Sequence, residues 1–436
     1  MKERLSDLLS RGGYHSYAYS YPHKTAYRTL PQPLSLRDLW STENRSALFL
    51  YLHVPFCEQR CGFCNLFTQV MPKADVVTRY LDTIDRQAQV MHDVLEPYRF
   101  AQLAIGGGTP TYLDAQQLAR LFATVRRLAP QVIPTSIETS PATLDADKVS
   151  LLRAEGVSRI SMGVQSIFSH ETSGVQRRQQ LADVDRALSL FYDAIPIRNI
   201  DLIYGLPNQT EASLRESISY VVSRGANELY LYPLYVRPLT ILSRHKTHQD
   251  HRVSLYRDAR KHLLTLGFRQ VSMRMFTRVA PQAQTDDTPR YRCQEDGMVG
   301  IGPGARSYTH KLHYAAPFSV GQAAIRDRIE TWLSQSNEDF SVARHGFLLG
   351  PKEQQRRYLL LSLLEGQVCR PSYVKRFGKD VLLHFPELRE AVAAGLVCDT
   401  PSALLLTEQG QQYADVLGHW LQSEEVLAAR SSWDAA

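Results

Sequence analysis

From residue 46 to about residue 310, short apolar runs alternate with amphipathic stretches. The runs are ALFLYLHV (47–54), AQLAIGG (101–107), TSIETS (135–140), SRISMGVQ (158–165), IRNIDLIYG (197–205) and ELYLYPLYV (228–236). They read as strands. Helical periodicity appears between them near 73–95, 114–128, 145–155, 180–193, 211–224 and 253–266. Six strand-then-helix units in a row imply a parallel sheet covered by helices. The strands read as apolar on both faces, as buried parallel strands are. The expected fold class is α/β, a partial (β/α)6 barrel over 46–310. Chemistry in such a barrel sits at the C-terminal strand ends.

The flanks differ. Residues 1–45 carry Tyr14, Tyr17, Tyr19, Tyr21 and Tyr27 close together with His15, His23 and Pro22, and show no clean period. They predict an irregular N-terminal arm that wraps over the rest, with the alternative that some tyrosines line an active site. Residues 311–349 read as a connection. Residues 350–425 predict a small helical, winged-helix-like domain: an apolar-faced helix with a glycine stop, a second helix, short strands near 396–407 and a closing helix. Residues 426–436 form a tail. No basic recognition helix marks this domain, so a lid or docking role is expected rather than DNA binding.

Composition narrows the class. The chain has 436 residues, 44% of them hydrophobic and 22% charged, as a soluble globular protein has. No apolar run is long enough to span a bilayer. The first residues lack the apolar segment of a signal peptide, so no membrane and a cytoplasmic location are expected. The net charge of +6 is dispersed, which argues against nucleic acid and suits a small, anionic substrate. Of six cysteines, three fall at 57, 61 and 64, while Cys293, Cys369 and Cys398 stand alone. Clustered cysteines in a cytosolic chain bind metal or do chemistry more often than they form disulfides.

Strand YLHVPF runs into CEQRCGFC, with gaps of three and two residues between cysteines. Thiolates are soft ligands for zinc or iron–sulfur clusters. Structural zinc wants four protein ligands in a tetrahedron, and only three cysteines are local. A [4Fe–4S] cluster usually takes four thiolates; three leave one iron open to a ligand. A structural zinc site and a redox disulfide remain the alternatives. Other chemistry-bearing segments sit at successive strand ends: Gly106-Gly107-Gly108-Thr109-Pro110-Thr111, then Glu138, Gln165 followed by Arg177, and Asp201. Glycines let a ligand approach the backbone. Buried polar groups late on barrel strands need partners, and several on successive units point to a polar ligand.

The cysteine spacing with Phe63 before the last cysteine resembles the radical S-adenosylmethionine (SAM) signature. The whole of 46–310 is similar to the oxygen-independent coproporphyrinogen III oxidase-like family, which includes haem chaperones and radical methyltransferases. The resemblance implies a radical SAM barrel. In it Cys57, Cys61 and Cys64 hold a [4Fe–4S] cluster, and SAM, one molecule or two, is cleaved to a 5′-deoxyadenosyl radical that abstracts hydrogen. It implies that Tyr51, Gly107, Gly108, Thr109 and Glu138 contact cluster-bound SAM. Phe63, Gln165, Arg177 and Asp201 would complete the pocket or a second SAM site. Arg177 would pair with a carboxylate, and Asp201 or Glu138 with ribose hydroxyls. Tyr51, Arg177 and Asp201 are the expected catalytic residues. A porphyrinogen-like substrate, a flavodoxin- or ferredoxin-type reductant and a monomeric enzyme are also implied.

Two positions depart from the family. The oxidase proper has a further cysteine two residues after the motif, where this chain has Leu66. The haem chaperones carry HNxxYW, where this chain reads Tyr291-Arg292-Cys293-Gln294-Glu295-Asp296. A two-SAM methyltransferase and a non-catalytic haem-binding chaperone are the competing readings. His245, His248 and His251 could hold a metal but read as a solvated helix start. Among the later arginines, Arg237 and Arg306 are the better candidates to read substrate carboxylates, since they follow predicted strands. Of Tyr230, Tyr232 and Tyr235, the last is nearest its strand end and is the expected pocket residue. Cys293 reads as structural, with a fourth cluster ligand as the alternative.

Overall fold

The computed structural model describes residues 3–14, 19–236, 242, 250–279 and 292–433. Arg237, His245, His248, Tyr17 and His15 lie outside the described residues. The chain first forms strand β1 (Arg28–Ser35) and then β2 (Leu48–Val54). Two-residue strands β3 (Phe56–Cys57) and β4 (Gln69–Val70) pair with each other beyond it. The next five strands are β5 (Phe100–Gly107), β6 (Thr135–Thr139), β7 (Val157–Gln165), β8 (Ile197–Tyr204) and β9 (Glu228–Pro233). Short strands β10 (Arg269–Gln270), β11 (Met275–Thr277), β12 (Met298–Ile301), β13 (Arg306–Tyr308) and β14 (Leu312–Ala315) follow, then β15 (Val342–Leu348). The C-terminal region adds β16 (Gln367–Cys369), β17 (Val397–Asp399) and β18 (Ala403–Leu406).

Thirteen strands make one sheet in the order β1-β15-β14-β13-β12-β2-β5-β6-β7-β8-β9-β11-β10. The six expected strands, β2 and β5 to β9, are parallel and adjacent in chain order. Strand β12 adds to β2 in parallel, and antiparallel strands extend both sides. The sheet ends at β1 and β10, which do not pair with each other, so the barrel is partial.

Helices Ala74–Leu95, Ala115–Leu128, Ala146–Ala154, Leu181–Phe191, Glu211–Ser223 and Arg252–Thr265 fall where the periodicity places them. Two begin with reciprocal caps, Asp114 with Gln117 and Thr210 with Ser213, which satisfy amide groups that a first turn leaves unpaired. The helices cover one face of the sheet, where Ile137, Ile160, Met162, Ile200 and Leu202 are fully buried.

The other face corrects the expectation of strands apolar on both sides. Ser136 and Glu138, Arg159 and Ser161, Asn199 and Asp201, and Glu228 and Tyr230 alternate with the buried apolar residues and so share the inner face. The pairing puts Glu138 beside Ser161, Ser161 beside Asn199, and Asp201 beside Tyr230. The bore of this barrel is therefore polar, where a closed barrel would be filled with branched apolar layers.

The flanks are more ordered than their patterns predict. The arm supplies β1, paired with β15, and helices Leu5–Ser10 and Leu36–Ser41. Residues 311–349, expected to connect, supply β14, β15 and helix Gln322–Leu333. Long-range pairing overrides weak local pattern here. The C-terminal region has helices around the small sheet β16-β18-β17. Leu5, Leu8, Tyr21 and Tyr27 of the arm join its hydrophobic core. Helix Glu424–Ser431 begins just before the expected tail and buries Val426. Two buried ion pairs tie this region to the barrel: Arg274 with Asp415 at 2.6 Å and Arg357 with Glu295 at 2.7 Å.

Candidate cofactor site

Strand β2 delivers the chain to the cysteine loop. Cys57 ends β3, its sulfur 3.4 Å from the Thr109 hydroxyl. Cys64 donates its backbone N–H to the Cys61 carbonyl at 3.0 Å, closing a turn. The Gly62 N–H donates to the Val175 carbonyl at 2.7 Å, and Phe63 packs on the apolar group of Val175, Ile203, Leu206, Leu234 and Leu242. All three cysteines are free thiols, half-buried. Burial pushes the Cys57 thiol up to about 12 and raises that of Cys64, each also raised by a neighbouring thiolate. Thiolates here call for a cation to hold them. Among the described residues no three His, Cys, Asp or Glu side chains converge as a single ion requires. A tetrahedral zinc site would bring sulfurs to within about 4 Å of one another. Three coupled but separated thiols suit a larger polynuclear cluster.

The ends of β5 and β6 meet beside this loop. The backbone N–H of Gly107 donates to the Glu138 carboxylate at 3.0 Å. Gly107 has φ of +117°, and a Cβ there would strike the His53 ring; one at Gly108 would be driven into the Phe56 carbonyl. Only glycines leave this edge open. Tyr51, on the inner face of β2, donates its hydroxyl to His53 Nδ1 at 3.2 Å, and His53 Nε2 lies 2.9 Å from the Phe67 carbonyl. Burial holds His53 down to about 4, so it stays neutral with the proton on Nε2.

Deeper in the bore, Asp201 accepts from Asn199 Nδ2 at 2.7 Å and from Ser161 Oγ at 3.4 Å. Burial raises Glu138 to about 7 and Asp201 to about 6. Glu138 sits deep among protein atoms yet more than a third of its surface opens onto the bore, so water moderates its shift until a ligand displaces it. Gln165 ends β7 with φ of +69°, a left-handed conformation uncommon for a side chain of this kind and often kept at functional sites. Arg177 donates to the Gly163 carbonyl and to Gln179, and its Nη1 reaches Cys61 Sγ at 3.4 Å.

The structure thus sets Thr109 beside Cys57 and Arg177 beside Cys61, joins Gly107 to Glu138, and packs Phe63 into an apolar group, with Tyr51 and Asp201 on the inner faces of their strands. Tyr235 goes elsewhere: its hydroxyl donates to Asp415 at 2.7 Å and its ring meets Tyr14 and Arg252. Leu66 is exposed on the loop. Sequence reading missed Arg159, Ser161, Asn199 and Glu228. Arg159 pairs with Glu228 at 2.6 Å and bonds Ser136. The period-two alternation in TSIET, SRIS, IRNID and ELYLY was the signal that would have found them.

The free cysteines, the glycine edge and the buried Asn199 Oδ1 and Glu58 Oε2 that lack partners together fit an iron–sulfur cluster with a polar ligand beside it. Comparison with known proteins agrees. A domain of the radical SAM superfamily matches residues 51–221. The chain is 25% identical over 379 residues to the heme chaperone HemW of Bacillus subtilis, covering 83% of this chain and 95% of that one. It is 34% identical over 209 residues to the oxygen-independent coproporphyrinogen III oxidase of Bradyrhizobium diazoefficiens, but there the match spans only 46% of the oxidase's length. The structure of coproporphyrinogen III oxidase (HemN) from Escherichia coli superposes with a TM-score of 0.76 over 89% of this chain and 92% of that one, at 23% identity. That likeness establishes the fold. The superfamily's cofactors, a [4Fe–4S] cluster and SAM, are those of this chain. Residues 51–221 thus carry a radical SAM domain, and the chain is similar over most of its length to haem chaperones and oxygen-independent coproporphyrinogen III oxidases.

Proposed function

We propose that the chain is an enzyme in which Cys57, Cys61 and Cys64 hold the cluster and the bore above it holds SAM and an organic substrate. The observation that carries this reading is Cys57, one of three free cysteines in one loop, set against Thr109 at the end of the Gly107–Gly108 edge, on a barrel with a polar inner face. When bound, the cluster and SAM supply one-electron reductive cleavage of SAM, giving a radical that abstracts hydrogen. In this reading the glycine edge receives SAM's amino group through backbone atoms, since no side chain fills the space. Glu138 or Asp201 accepts hydrogen bonds from the ribose hydroxyls, and Tyr51 closes the site from β2. Phe63 packs the loop, Thr109 sits over Cys57, and Arg177 offsets thiolate charge at Cys61. Gln165, held in its left-handed turn at the end of β7, would complete the pocket.

The substrate reading is coproporphyrinogen oxidase-like hydrogen abstraction from a small anionic molecule, in the cytoplasm, with a flavodoxin- or ferredoxin-type reductant. The relatives' names and the bore support it. The test is anaerobic reconstitution with iron, sulfide, dithionite and SAM. Formation of 5′-deoxyadenosine is expected, and its absence from iron-loaded protein sinks the reading. S-Adenosylhomocysteine formed alongside it would instead identify a methyltransferase.

A further inference from the structure

The cysteine loop is fastened at two successive residues. Cys57 Sγ lies 3.4 Å from the hydroxyl of Thr109, just past β5. Glu58 Oε1 accepts from Ser140 Oγ at 2.8 Å, just past β6. These two strand ends are themselves tied. Each runs into one short turn headed by proline, Pro110–Tyr112 and Pro141–Thr143. Thr111 Oγ1 lies 2.7 Å from Thr139 Oγ1 and 2.6 Å from Thr143 Oγ1. The Lys148 ammonium donates to the carbonyls of Thr111 at 2.9 Å and of Thr143 at 2.8 Å. Loop, first turn and second turn thus close a ring of hydrogen bonds. Gly107 and Glu138, joined by their own bond, stand on its two strands.

Thr111, Thr139, Ser140 and Lys148 are buried. Buried hydroxyl and ammonium groups cost free energy unless each finds a partner, and apolar side chains would pack such turns without that cost. The bonds also have a direction, because a hydroxyl carries one proton. Ser140 gives its proton to Glu58, so Thr143, 3.1 Å away, can only donate to Ser140 Oγ. Thr111 then donates to Thr143, and Thr139 to Thr111. The chain of donors runs toward one carboxylate, an arrangement in which each bond strengthens the next. We propose that this ring is a latch: Glu58, Ser140, Thr143 and Thr111 are positioning residues that fix the cysteine loop against the ends of β5 and β6. It rests on the reading of the loop as the cluster's seat and of Gly107, Thr109 and Glu138 as SAM's, and it deepens that reading by naming what aligns the two. A ligand that must touch both loses affinity when the latch opens, because binding must then do the aligning.

The Glu58 Oε2 atom is sealed from solvent without a hydrogen-bond partner among the described residues. A glutamine would strand an amide there, so the test is made at Thr143. Thr143→Val keeps the shape and loses the hydroxyl, while Thr143→Ser keeps the hydroxyl. Each protein is reconstituted anaerobically, its iron–sulfur absorbance is recorded, and SAM is titrated by equilibrium dialysis against the oxidised cluster, which cannot cleave it. Full absorbance is expected throughout. Thr143→Val is expected to bind SAM about tenfold more weakly and Thr143→Ser within about twofold of wild type. Ser140→Ala is expected to match Thr143→Val, and the double variant to be no weaker than either, because one latch opens only once. Unchanged SAM affinity in Thr143→Val overturns the proposal. An equal loss in Thr143→Ser does so too, by assigning the effect to shape, as does additive loss in the double variant. Loss of iron–sulfur absorbance in Thr143→Val would make the ring a folding element of the loop and also overturn it. Wild-type protein that holds the cluster but takes up no SAM defeats the underlying reading and the latch with it. Wild-type uptake of SAM with an unmoved Thr143→Val defeats the latch alone.

Discussion

The backbone N–H of Gly107 donates to the carboxylate of Glu138 across adjacent strands at 3.0 Å. One contact joins the glycine edge to the bore, and it lowers the Glu138 pKa against burial, which raises it to about 7. SAM carries a sulfonium charge, which favours ionised carboxylates. Affinity for SAM is therefore expected to fall as pH drops through 7 toward 6, the range of Glu138 and Asp201. Glu138→Gln should flatten the upper part of that profile, read by anaerobic SAM titration. The ligand-free protein should show the opposite sign. A carboxyl raised from its ordinary 4.5 contributes stability that is present below 4.5 and lost as pH rises through 7.

Gly108→Ala is expected to lose both SAM binding and stability. The new Cβ would meet the Phe56 carbonyl and the Thr68 hydroxyl, and neither backbone nor buried hydroxyl can yield cheaply. Overpacking of this kind costs about 1–3 kcal/mol. Thermal melts of the apoprotein and SAM titration of the loaded protein check it together.

Substituting any one of Cys57, Cys61 or Cys64 by alanine should abolish the iron–sulfur absorbance after reconstitution. Cys293→Ala should not, because Cys293 starts the short helix Cys293–Asp296, outside the cysteine loop. Retention or loss of that absorbance in Cys293→Ala decides between three cysteine ligands and four.

Asp415→Ala is expected to destabilise the protein by about 3–5 kcal/mol, the usual cost of stranding one partner of a buried ion pair. The Arg274 and Tyr235 side chains both bond Asp415, so the loss loosens the C-terminal region on the barrel. Chemical denaturation monitored by tryptophan fluorescence would show it, with a lower first transition and retained cluster absorbance.

The radical SAM motif was legible because cysteine spacing is local: three thiols within one loop need no tertiary knowledge to be read as a set. The six strands and six helices were legible for a related reason, since period and capping are local properties. Tyr235 shows where this stops. Its place at a strand end made it a pocket residue on paper, but a partner 180 residues away took its hydroxyl.

By itself the sequence determined the cluster loop, the parallel β/α order and the two departures at Leu66 and at the region after Tyr291. Tertiary structure alone decided that the polar face of the alternating strands turns inward to line a bore. It also joined the arm to the C-terminal core through Leu5, Leu8, Tyr21 and Tyr27. The physical reason is the same in each case. Charge compensation and cavity walls depend on which distant side chains meet, and sequence spacing carries no term for a partner hundreds of residues away.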